Sequence, residues 1–193
     1  MPKRNIVTIV ILAFVIIPVG VGIFLLKNSI FEKKGSSTPT GFQFMGELSL
    51  TSPAFANNGM IPSKYTCDGE NVNPPLDIHG TPDTAKSLVL IVDDPDAPAG
   101  TWDHWILLGI SPATHHIEEN NIPRGVIQGI TDFGKNEYGG PCPPSGTHHY
   151  YFKFYALDSE LTLDPSSKKE DVENAMEGHI LAQTVLIGLY QRK

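Results

Sequence analysis

The run Leu88-Val89-Leu90-Ile91-Val92 leads straight into Asp93-Asp94-Pro95-Asp96-Ala97-Pro98, and this junction constrains the fold more than any other feature of the chain. A short aliphatic run rich in β-branched residues and cut off by Asp and Pro predicts a buried strand. Pro95 and Pro98 have no N–H to give to a ladder, so the strand must end there. Asp94 and Asp96 are therefore presented at a strand end, on a stiff turn. Six residues past Pro98, His104 opens the next apolar run between Asp103 and Trp105. Carboxylates and an imidazole at neighbouring strand ends are the raw material of a site.

The rest of the chain repeats this style of short runs cut by Pro and Gly. With 18 Gly and 16 Pro in 193 residues, turns are frequent and long helices few. Glu47 to Ser52 alternates apolar and polar residues, as a half-buried strand does. Further strands are expected at Ile61–Thr66, Trp102–Ile110, Gly125–Ile130, His149–Leu157 and Ile180–Tyr190, with His115-His116 in a polar loop. Tyr138 to Gly146, Y-G-G-P-C-P-P-S-G, suits neither a helix nor a central strand. One helix is signalled: Ser167-x-x-Glu170 reads as a capping box, Val172, Ala175 and Met176 form a stripe, and Gly178 follows as a C-cap. The resulting expectation is an all-β-dominated, antiparallel Greek-key β-sandwich with one or two peripheral helices.

Ahead of this domain, Ile6 to Leu26 runs without a charge between Lys3-Arg4 and Lys27. At about 1.5 Å per residue, a helix of that length spans roughly 30 Å, a bilayer core. The run is longer than a signal-peptide core and lacks a small-residue cleavage site. The expected organisation is a short basic tail (1–5), a transmembrane signal anchor (6–26), a flexible linker (27–45) and the globular domain (46–193). This makes a single-pass membrane protein with its domain on the extracytoplasmic side. Residues 35–193 hold nine basic and twenty acidic side chains, a balance that repels a phosphate backbone and sets nucleic acid aside.

Four features have the residues for chemistry: Asp94 with Asp96, His104, the Gly139–Gly146 loop, and His148-His149-Tyr150. Singly, each has an ordinary reading as a capped turn, a core histidine, a connection or a strand start. Together they all fall at the ends of apolar runs beside Pro-rich segments. His148 and His149 point to opposite faces of their strand, so only one of them enters a given pocket. No H-x-H, H-E-x-x-H or G-x-S-x-G is present, so neither a metal nor a serine nucleophile is expected, nor any cofactor. Cys67 and Cys142 are either two free thiols or a bridge that closes a loop of about 75 residues, worth roughly 4 kcal/mol.

The motifs D-P-D-A-P at 94–98, G-P-C-P-P-S-G-T-H-H-Y at 140–150, C-D-G-E-N-V-N-P-P-L at 67–76, D-F-G-K at 132–135 and E-G-H-I-L at 177–181 resemble the phosphatidylethanolamine-binding protein family. The likeness is closest to its prokaryotic Raf-kinase-inhibitor-like branch and covers residues 46–192. It implies an antiparallel β-sandwich with a small anion pocket at one end, lined by Asp94, Asp96, His104, His148 and Tyr150. Backbone from Gly140 to Pro144 joins that lining, including Gly140 and Pro143. The implied ligand is a small phosphate or carboxylate, free or as a phospholipid head group, held without catalysis. The implied alternative is an inhibitor of a protease or other enzyme, with a protease or kinase as protein partner. A hydrolase using His104 and His148 as acid and base is the remaining reading. The carboxylates are expected to orient the histidines and raise their pKa values, so that anions bind better below about pH 6.5. Where the family has His-Arg, this chain has His148-His149, which leaves an acid there without its guanidinium.

Overall fold

A computed structural model describes residues 47–193. Their elements are β1 (Ser49–Thr51), β2 (Gly59–Met60), β3 (Leu76–His79), β4 (Ser87–Asp94), β5 (Trp102–Ile110), β6 (His116–Ile117), β7 (Ile127–Gln128), β8 (His148–Leu157), α1 (Lys169–Met176) and β9 (Ile180–Tyr190). They form a three-stranded sheet, β1-β3-β6, and a six-stranded sheet, β2-β9-β8-β4-β5-β7. Alternation along β4 explains how the layers stack. Leu88, Leu90 and Val92 face the small sheet, where they meet Leu50, Ile78 and Ile117 in one core. Val89 and Ile91 face the other way and are covered by Val172 and Met176 of α1. The central strand is thus buried on both faces, and its apolar run needs no polar alternation.

Two expectations about the architecture are corrected. The sheets are not purely antiparallel, because β2 runs parallel to β9, pairing Gly59 with Gly188 and Met60 with Leu189. Asn58, at φ 60°, turns the chain so that its N–H reaches the Ile187 carbonyl, while Ile187 N–H donates to Asn57 Oδ1. Gly188 permits the approach, since a Cβ there would lie 2.5 Å from Ile61. The large sheet is therefore mixed, and α1 is the one α-helix among the described residues. The second correction concerns the transmembrane helix and the single-pass, extracytoplasmic localisation drawn from it. Residues 6–26 and the linker lie outside the described residues, and among the described residues no helix is long and apolar enough to cross a membrane.

Smaller differences have local causes. Ile61–Thr66 is no strand: Pro62 interrupts it, and Ser63–Tyr65 forms a 3-10 turn instead. His116 leaves its expected loop to pair with Asp77 in β6. The helix begins one residue later than the Ser167 motif suggests; Lys168 N–H donates to Asp171 Oδ2 at 2.9 Å.

Behind the end of β4, α1 is tied down by charge. Asp93 is fully buried, and its Oδ2 accepts from Lys153 Nζ at 2.6 Å and Lys169 Nζ at 2.7 Å. Lys169 also reaches Asp103 Oδ1 at 3.1 Å. Removing one partner of a buried pair strands the other charge. Lys169→Ala is expected to lower stability by about 2–3 kcal/mol, with half-exposed Lys153 limiting the loss. A urea midpoint equal to that of the wild type would contradict this.

Candidate anion-binding site

The pocket forms where the three central strands β8, β4 and β5 end side by side. Asp94 closes β4, His148 opens β8, and His104 lies near the start of β5. A backbone irregularity places His104. Val92 pairs with Trp105, but the next residue, Asp93, pairs with Asp103, so His104 is the extra residue of a β-bulge. Without the bulge, alternation would put His104 on the face opposite Trp105. With it, the ring is re-aimed into the pocket, a common use of bulges.

The cavity measures about 330 Å³, and its lining includes Asp94, Trp102, His104, Phe133, Pro143 and His148. Of the residues singled out from sequence, Asp94, His104, Pro143 and His148 meet here. Tyr150 lies against them, fully buried, its ring edge-on to His104 with centroids 5.1 Å apart. Asp96 and Gly140 sit elsewhere. Asp96 faces outward, accepting from both the backbone N and Nδ1 of His149 at 2.8 and 2.6 Å. These bonds hold its carboxyl below the usual range, so the acid left without an arginine finds the neighbouring imidazole. Gly140 lies in an adjoining cavity of about 240 Å³, and its N–H is spent on Asn71 Oδ1 at 2.8 Å. Sequence reasoning missed Trp102 and Phe133 as walls. Phe133 packs edge-on to both His104 and Trp102, at 5.3 and 5.6 Å. The D-F-G-K motif was the available signal.

Internal hydrogen bonds fix the chemistry of each ring. His148 Nδ1 lies 2.8 Å from Asp94 Oδ2, and a carboxylate oxygen accepts, so Nδ1 carries the proton. His104 Nδ1 lies 2.6 Å from the Gly139 carbonyl and likewise donates. Gly139 N–H returns a bond to the His104 carbonyl at 2.9 Å. Each histidine is left with Nε2 as its unbonded end. Both oxygens of Asp94 are engaged, because its Oδ1 accepts Asp96 N–H at 2.9 Å. The Tyr150 hydroxyl is buried and makes no well-aligned hydrogen bond among the described residues, with Asp94 and the Cys142 backbone its polar neighbours. Burial first, and then the Asp94 charge, push its pKa upward, so it stays a donor. Cys67 and Cys142 are bridged, which ties the 67–71 loop to the pocket rim. No group of three or more metal-ligating side chains occurs among the described residues.

The expectation that carboxylates raise the histidine pKa values does not hold for His104. Burial pushes it below 6.5 and outweighs the Gly139 carbonyl and Asp94. Below about pH 6.5 the unfolded chain takes up this proton before the folded one does, so stability falls as pH drops from there towards the folded pKa. Half-buried His116, raised chiefly by its bond to Asp77, contributes in the opposite sense. His104→Asn keeps a donor for Gly139 and removes the titration. Its denaturant midpoint is therefore expected to lose less between roughly pH 7 and pH 5 than the wild type's. Equal losses would show that His104 is not depressed.

Among known proteins, the family described as phosphatidylethanolamine-binding protein matches residues 51–191. The UPF0098 protein of Methanothermobacter thermautotrophicus is 53% identical over 150 residues, 75% of this chain and 99% of its own. The UPF0098 protein PH1269 of Pyrococcus horikoshii is 52% identical over 150 residues, 74% and 76% of the two chains. A crystal structure of a homologue of this family from Chlamydia trachomatis superposes with a TM-score of 0.73 at 41% identity, covering 76% of this chain and 99% of its own. E. coli YbcL, described as a new member of the mammalian PEBP family, gives 0.72 at 30% identity, covering 77% and 100%. The chain belongs to the phosphatidylethanolamine-binding protein family.

Proposed function

We propose that this protein is a non-catalytic binding module that captures a small phosphorylated or carboxylated group, free or as a phospholipid head group. One observation carries the reading: two histidines that line the pocket have their Nδ1 atoms anchored by internal bonds, which leaves both Nε2 ends free for a ligand. A neutral imidazole offers Nε2 as an acceptor, and an imidazolium offers a donor there. The pair therefore suits a group with both bare and protonated oxygens, such as monohydrogen or dihydrogen phosphate. Among the described residues, the lining offers no hydroxyl and no free thiol.

Calorimetric titration of the full chain with inorganic phosphate, phosphoethanolamine and acetate near pH 6 tests this. Saturable binding is expected, weakened about tenfold in His148→Ala by loss of one hydrogen bond. Absence of heat with all three, or turnover of phosphate esters, would contradict it.

A further inference from the structure

A second cleft, of about 370 Å³, lies outside this pocket and is lined by side-chain amides from three separate segments. Internal bonds fix how those amides are turned. Asn71 Oδ1 accepts from Gly140 N–H at 2.8 Å, Gln128 Oε1 from the Trp105 indole at 2.8 Å, and Asn121 Oδ1 from Ile122 N–H at 2.9 Å. Each partner is an N–H, so the atom facing it must be the carbonyl oxygen. All three NH2 groups are thereby left as unbonded ends of cleft-lining side chains, held without further loss of rotamer freedom. Acceptors stand beside them. Asn73 spends its NH2 on the Pro74 and Glu118 carbonyls, leaving Oδ1, and the exposed Glu137 carboxylate meets Lys135 only from one side, at 2.9 Å.

We infer that this cleft is a binding site for a neutral polyhydroxylated ligand of the saccharide class. The lining holds neither lysine nor arginine, and Glu137 turns anions away. A cation finds three donor groups facing it. Hydroxyl groups satisfy both kinds of neighbour, because each accepts from a carboxamide NH2 and donates to Glu137 or Asn73 Oδ1. A peptide backbone offers donors and acceptors on separate atoms and brings side chains that the amide-lined walls do not match. Val72, Ile122 and the edge of Tyr138 supply the apolar surface on which the C–H face of a sugar ring rests.

The test follows side-chain NH2 resonances of the full chain during titration with a panel of neutral mono- and disaccharides, a capped neutral tripeptide and inorganic phosphate. Saturable movement of the Asn71, Asn121 and Gln128 signals with at least one saccharide is expected, and none with phosphate. Asn71→Asp and Gln128→Glu keep the acceptor for Gly140 and for the indole while replacing each NH2 donor. Each is expected to weaken saccharide binding about tenfold. Asn121→Asp, in an exposed turn, is the variant that does not challenge folding and is expected to do the same. The inference is overturned if no saccharide moves these signals, if the tripeptide moves them and saccharides do not, or if the folded variants bind saccharide as the wild type does.

Discussion

Asp94→Asn is expected to leave the fold standing and to raise phosphate affinity near neutral pH. In the wild type, Asp94 Oδ2 holds the proton of His148 on Nδ1, so the Nε2 end of the neutral ring shows an anion only a lone pair. In the variant, the introduced carboxamide must keep its oxygen towards Asp96 N–H, replacing the bond now made by Oδ1. Its NH2 then faces His148 and forces Nδ1 to accept, which moves the ring proton to Nε2. The anion then meets a neutral donor in place of a lone pair. Phosphate affinity measured at about pH 7.5 should therefore exceed that of the wild type. Asp94→Ala removes both acceptors from a buried site and is expected to cost about 3 kcal/mol of stability. Equal affinities for the wild type and Asp94→Asn would show that this pair does not govern the pocket.

Breaking the Cys67–Cys142 bridge is expected to have the largest effect on stability. The bridge spans 75 residues, and the chain-entropy relation for a loop of that size gives about 4 kcal/mol. Most of a small domain's net stability is of this order. Beyond the covalent bond, the two loops share Cys67 N–H to the Pro141 carbonyl and Gly140 N–H to Asn71 Oδ1. Gly140 leaves no space for a side chain there, with Asn71 Oδ1 and the Tyr65 carbonyl 2.5 Å from where a Cβ would stand. The double variant Cys67→Ser, Cys142→Ser should unfold at lower denaturant, with the slope of the transition altered by a less compact unfolded state. A loss below about 1 kcal/mol would mean that the packed loops hold the rim without the bridge.

The strands that build the pocket were legible because their signals are local: an aliphatic run stopped by Asp-Pro, a nine-residue run from Trp102, and alternation from His148. The pairing of His148 with Asp94, and the outward turn of His149, follow from period-two geometry in β8. The bulge at His104 was not legible, since it depends on how β4 and β5 slip past each other after Val92. Nor was the parallel strand β2, a two-residue element whose direction is set by Asn57, Asn58 and Ile187 across a separation of some 130 residues. The depressed pKa of His104 escaped for a related reason: burial at a sheet end is a tertiary property, and it outweighs the nearby carboxylates. The membrane anchor was drawn from hydropathy of a segment outside the described residues, and no described helix takes its place. The amide cleft left no motif, because its walls come from the 71–73, 120–122, 128 and 137–138 segments.

The most direct measurement is the imidazole nitrogen spectrum of the full chain during phosphate titration at about pH 6 and about pH 7.5. The expected result is that the Nε2 signals of His148 and His104 both move on saturation. His104 should keep its proton on Nδ1 throughout, and its movement should be lost in His148→Ala. Histidine signals that stay still at both pH values would contradict an anion pocket between β4, β5 and β8.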